Sequence, residues 1–192
     1  MIVDVLLSED AEAAIYEANR IRALLPKSSR RRTAPKRAPQ TERVLLEMAV
    51  GRVVGFAELY LLMRATRRLL PDALRPTRPP NPGDPMLKKI RSAARSFSAM
   101  RRVWHTDLGI DLKALTVWPD FEVLRELRHV LVHRLGAWEP ILDPKPALHR
   151  RIGRPGIAPD LYRGPIPLDR EDLERAIELS TALVDEVEKT LP

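Results

Sequence analysis

The sequence predicts an all-α fold, a helical bundle of about four to five helices with Pro-rich loops and a basic linker. Three observations carry this: apolar residues recur at 3.6-residue spacing through several long segments, the 18 prolines gather between those segments, and 192 residues suffice to bury one core. The first helix is expected from about Asp10 to Leu25, with Ala14, Ile15, Ala18, Ile21, Leu24 and Leu25 at helical spacing and Ser8 as N-cap. Pro26 ends it, and Lys27–Pro39 follows with six cations and two prolines, a basic linker with nothing to bury. Residues 1–40 are therefore set apart from a helical domain at 41–192.

Thr41 is the expected N-cap of a central helix, Glu42–Leu70, apolar on nearly every face as a helix surrounded by others would be. Gly51 and Gly55, four residues apart, allow another chain segment to approach closely at that level. Pro71–Pro85 is dense in breakers and is read as loop. One helix is then expected from about Met86 to Leu108, with Met86, Ile90, Ala93, Phe97, Met100 and Trp104 on one stripe and Lys88, Arg91, Arg95 and Arg102 largely off it. Pro119-Asp120 opens a motif helix, about 120–135, stopped by Gly136. An irregular insertion, about 137–168, can hold short extended pieces, and Asp169 caps a closing helix over about 169–191. Its Leu173, Ile177, Ser180, Val184 and Val187 define a buried face.

Composition narrows the function. Lys+Arg 33 against Asp+Glu 26 gives a formal charge of +7, which favours a polyanionic partner because phosphate contacts release counterions. The absence of Cys removes thiol nucleophiles, disulfides and Cys-based metal sites and fits a cytoplasmic setting. Met1–Asp10 has no basic leader region and is not read as a signal peptide, and Glu47, Arg52, Glu58 and Arg64 interrupt the longest apolar region, so no membrane partner is expected.

The chemistry concentrates in Leu124–Gly136. At 100° per residue, Leu124, Leu127, Leu131 and Leu135 form the core stripe, Arg128 lies about 40° off it, and His129 and His133 lie about 140° and 180° away. Arg128 and His133 thus diverge by about 140°, so two copies of the helix packed across the histidine side would aim both groups into one groove. The string Arg128-His129-Val130-Leu131-Val132-His133, followed by Gly136, resembles the Arg-x4-His signature of the HEPN superfamily. The order of elements from Thr41 to Leu191 is also similar to that family.

The resemblance implies a homodimer formed along the motif helices that cleaves RNA without metal or other cofactor and leaves a cyclic phosphate on one product. It would make His133 and Arg128 catalytic, with His129 as the polar residue between them. Imidazole titrates near neutrality and can take the 2′-hydroxyl proton or protonate the leaving oxygen, while a guanidinium binds phosphate oxygens in pairs. Some members add an acidic residue, for which Glu47 and Glu58 are the candidates; Arg91, Arg95, Arg102 and Arg125 are the candidate RNA-binding cations. A toxin-antitoxin or antiviral role, with an antitoxin or regulatory protein as further partner, is the biological setting the family suggests. Position 135 is Leu where toxins controlled by nucleotidyltransferase antitoxins carry the modified Tyr, which speaks against that route of control.

Other readings attach to the same residues. A noncatalytic HEPN-like module would use the motif helix only for dimer contacts, and a DNA-binding regulator would use the basic Met86–Leu108 helix as reader. His129 and His133 match a two-histidine metal pair, but no third ligand has the spacing. Trp104, Trp118 and Trp138 are read as core or interface anchors rather than base-stacking platforms.

Overall fold

Apolar periodicity is realised as helix almost throughout the computed structural model, which describes residues 2–24, 40–71, 81–133, 137–138, 164–165 and 168–191. Among them are six α-helices: α1 Ile2–Leu24, α2 Gln40–Leu69, α3 Pro85–Arg95, α4 Phe97–Asp107, α5 Trp118–His133 and α6 Arg170–Thr190. A 3-10 turn, Leu112–Ala114, precedes α5. Strands β1 (Ala137–Trp138) and β2 (Gly164–Pro165) pair antiparallel, with Ala137 opposite Pro165 and Trp138 opposite Gly164. The basic linker at 27–39, most of the Pro-rich loop, Leu135, Gly136 and most of the insertion lie outside the described residues. No helix among the described residues is long and apolar enough to cross a membrane.

The chain divides into two units, one comprising residues 1–16, 56–118 and 181–192 and the other residues 17–55 and 119–180. In the first, Leu61, Trp104, Leu112, Leu183 and Val187 are fully buried, and the Trp104 indole N–H donates to the Leu61 carbonyl at 3.2 Å. Trp118, also buried, stacks on Phe97 with ring centroids 5.6 Å apart. Both tryptophans are core anchors, as expected; the Trp138 side chain lies outside the described residues. In the second, Val50, Val53 and Val54 of α2, Phe121, Leu124, Leu127 and Leu131 of α5, and Leu173 and Ile177 of α6 are buried. An ion pair of 2.6 Å joins Arg22 of α1 to Glu174 of α6.

Helix boundaries follow local chemistry. Asp169 caps α6 reciprocally: its Oδ1 accepts from the Asp172 N–H at 3.1 Å, and Asp172 Oδ2 accepts from the Asp169 N–H at 2.8 Å. All of the expected inward face of α6, including Ser180, is buried. Helix α1 begins at Ile2, so Ser8 sits inside the helix rather than capping it, because the apolar run ahead of it continues the helical turn.

The expected single helix over Met86–Leu108 is two helices. Ser96 adopts extended backbone (φ −147°, ψ 121°); its N–H donates to Ser92 and Ala93 carbonyls, ending α3, and its Oγ accepts from Ala99 N–H at 3.4 Å, starting α4. Serine competes for the backbone in this way, and a one-residue break leaves the apolar spacing nearly in phase, which is why periodicity alone reads straight through. Lys89 in the middle of α3 bonds Asp107 at the end of α4 at 2.5 Å, so α4 folds back along α3 as a hairpin. The Lys89 ammonium, with the Thr106 hydroxyl, holds the Asp107 carboxyl below the ordinary carboxylate range. Gly109, at φ 71°, supplies the left-handed turn that leads away from α4.

Candidate functional site

The motif lies on the last turns of α5, in the second unit, and its residues divide as the helical wheel requires. Leu124, Leu127, Val130 and Leu131 are buried, His129 is exposed, and Arg128 is half-buried at the boundary. His133 is the final residue of α5, and its side chain lies outside the described residues.

What α5 packs against gives Arg128 its place. A Cβ on Gly55 of α2 would stand 3.5 Å from Arg128 Nε and 3.8 Å from Nη2, and one on Gly51 would stand 3.9 Å from Val132 Cγ2. The two glycines therefore seat two side chains of α5 in succession, Arg128 over Gly55 and Val132 over Gly51. Residue numbers rise along one helix as they fall along the other, so α2 and α5 run antiparallel here. The distances match ordinary van der Waals contact with a methyl group but leave no depth for a larger side chain. The Arg128 guanidinium thus lies directly over Gly55, within van der Waals range of the position a Cβ would take.

The surface beside this seat is apolar. Val44, Leu45 and Met48 of α2 and Val132 of α5 are all exposed, Met48 at 58% and Val132 at 51%. On the wheel, Val44 and Met48 share the α2 stripe that contains Gly51 and Gly55. Val44, Met48 and the cradle of Arg128 thus lie on one face of α2, with Leu45 about 100° around the helix from Val44 and exposed His129 one residue along α5 from Arg128.

The remaining predicted residues are distributed more widely. Glu47 belongs to the second unit, where its carboxylate pairs with Arg43 one turn earlier at 3.1 Å. Glu58 belongs to the first unit. Arg125 is half-buried on α5, whereas Arg91 and Arg95 of α3 and Arg102 of α4 are exposed in the first unit. No group of three or more His, Asp or Glu side chains among the described residues is arranged to hold a metal ion.

A polar cluster that sequence reasoning missed lies in the first unit. Glu188 of α6 accepts from the Tyr60 hydroxyl through Oε1 and from Arg64 Nη2 through Oε2, the latter at 2.8 Å. Arg64 is only 3% exposed, and its Nε and Nη1 have no hydrogen-bond partner among the described residues. Burial, reinforced by the hydrogen bond to Glu188, pushes the Tyr60 hydroxyl well above its ordinary value. The available signal was the i,i+4 pair of Tyr60 and Arg64 inside an apolar helix; the distant carboxylate could not be inferred from it.

No protein-family model matches the chain, and neither a curated protein nor a solved structure matches it.

Proposed function

We propose that the protein is a metal-independent endoribonuclease of HEPN type, acting through Arg128 and His133, with His129 in support, in a groove shared by two copies of the chain. The observation that carries this reading is the seating of Arg128 over Gly55, beside an exposed apolar strip formed by Val44, Leu45, Met48 and Val132. A backbone-cradled guanidinium keeps few conformations and is pre-organised to bind phosphate oxygens. An exposed apolar strip of this kind marks a surface that another protein covers, and a twofold contact there would bring two α5 helices together. In the resulting groove, one imidazole removes the 2′-hydroxyl proton. The 2′-oxygen attacks phosphorus, the bond to the 5′-oxygen breaks, and a second imidazole protonates that leaving group. Arg128 balances the charge that builds on the phosphoryl oxygens. A toxin or antiviral effector is the setting in which such an activity is held in check by a partner protein.

The test is RNA cleavage in excess chelator by wild type, Arg128→Ala and His133→Ala at matched thermal stability. Both substitutions are expected to lower the rate by at least about 100-fold, the scale of a lost acid–base group. Cleavage that survives both changes refutes the assignment, and cleavage that requires a divalent ion refutes the mechanism.

A further inference from the structure

The α3–α4 hairpin has a charge distribution that packing does not explain. Pro85–Asp107 carries six lysines and arginines against one carboxylate, and that carboxylate, Asp107, is already paired with Lys89. Lys88, Arg91 and Arg95 of α3 and Arg102 of α4 are exposed and form no ion pair among the described residues. The apolar residues Leu87, Ile90, Ala93, Met100, Val103 and Trp104 are buried, so the hairpin is anchored by one face and turns its cations outward. Along α3, Lys88, Arg91 and Arg95 follow one stripe, separated by about 4.5 and 6 Å of helix rise. Such a row of like charges gathers counterions, which a bound polyanion releases.

The same hairpin limits how it could read its partner. Neither helix exposes a Trp or Tyr ring: Trp104 is buried and Phe97 is half-buried and stacked on Trp118, which leaves the His105 imidazole as the exposed ring of the hairpin and gives splayed single-stranded bases little to stack on. The antiparallel return at Ser96 also differs from the open angle and three- to four-residue turn of a helix-turn-helix, which corrects the reading of this region as one long reader helix. What remains is a row of exposed cations along a helix, suited to phosphates at fixed spacing.

We infer that the outward face of the α3–α4 hairpin binds the phosphate backbone of double-helical nucleic acid without reading its sequence. The inference stands on the hairpin alone and goes beyond the nuclease reading, which it does not require.

The experiment measures binding of the full chain to three probes in chelator over a salt series: a 20-base-pair 2′-O-methyl RNA duplex, the DNA duplex of the same sequence, and the 2′-O-methyl single strand. The 2′-O-methyl group blocks cleavage, so binding is read apart from catalysis. Wild type is expected to bind both duplexes more tightly than the single strand. Replacing Lys88, Arg91, Arg95 and Arg102 together with Gln should weaken duplex binding by about 10–100-fold and flatten the log–log salt slope by about 3. A control that removes equal charge elsewhere, with Arg20, Lys113, Arg175 and Lys189 changed to Gln, should lose less than about threefold. The double change Arg91→Gln and Arg95→Gln gives a smaller loss in the same direction and serves if the fourfold variant fails to fold. Equal losses in the control, no loss in either hairpin variant, or tighter binding of the single strand overturns the inference. Duplex binding by a protein that leaves unmodified RNA intact in the chelator assay above would instead refute the nuclease reading alone.

Discussion

At the residue scale, the arrangement that matters most is Arg128 lying over Gly55. A glycine within a helix lowers stability by about 1 kcal/mol relative to alanine, so two of them four residues apart in α2 call for a reason. The space they leave is filled by Arg128 and Val132. Gly55→Ala should be tolerated, because the added methyl meets Arg128 Nε at an ordinary 3.5 Å, with stability raised by up to about 1 kcal/mol. Gly55→Leu should lift the guanidinium off α2 and reduce RNA cleavage by at least about tenfold, since a misplacement of about 1 Å is enough for such losses. Parallel thermal melts and cleavage rates for the two variants check this; equal activity in both would show that the seat does not position Arg128. The glycine pair was legible in the sequence as a site of close approach. Which side chains fill it was not, because that depends on the register between helices far apart in the chain.

At the scale of elements, α2 and α6 are joined in the first unit by a buried polar cluster. Glu188 receives one donor on each oxygen, from Tyr60 and Arg64, and Arg64 depends on it for its charge partner. Glu188→Ala should therefore destabilise the protein by about 3 kcal/mol, because a buried guanidinium loses the carboxylate it is paired with. That corresponds to a fall of roughly 10 °C in Tm for a chain of this size. The Tyr60 shift adds a pH signature. Because its folded-state pKa is raised above the ordinary value of 10.0, the stabilisation is complete below that pH and is lost as pH rises beyond it, where the unfolded chain ionises first. Tyr60→Phe should lower stability near neutrality by about 1.5–3 kcal/mol and remove this part of the alkaline loss, as denaturant melts at pH 8 and pH 11 would reveal. An unchanged slope between those pH values would exclude Tyr60 as its source. Helix ends, by contrast, were readable where a side chain caps its own helix, as at Asp169, and misread at Ser96, where a cap interrupts an otherwise continuous apolar spacing.

At the scale of the whole molecule, assembly is the property on which the proposed activity turns. The exposed apolar strip beside Arg128 is the surface proposed to meet its copy, and a charge placed there should prevent the contact. Met48→Asp combined with Val132→Asp is expected to yield a folded monomer in sedimentation and to lower cleavage to the level of His133→Ala. A variant that remains dimeric, or a monomer with full activity, would exclude the composite groove. Both substitutions fall on exposed positions, so a large loss of stability is not expected.

The sequence by itself determined the helical class, the inward face of the closing helix and the boundary position of Arg128 between core and surface, whereas Leu24, expected on the inward face of the first helix, is exposed. These are set by local periodicity and capping, which act within a few residues. It also supplied the Arg-x4-His resemblance and the excess of positive charge. Only tertiary structure decided that Gly55 seats Arg128, that Glu188 closes the Tyr60–Arg64 pair and that the Met86–Leu108 segment folds back at Ser96 into a basic hairpin. Each joins residues whose proximity depends on how separate helices pack, and spacing along one helix carries no record of its neighbour's register.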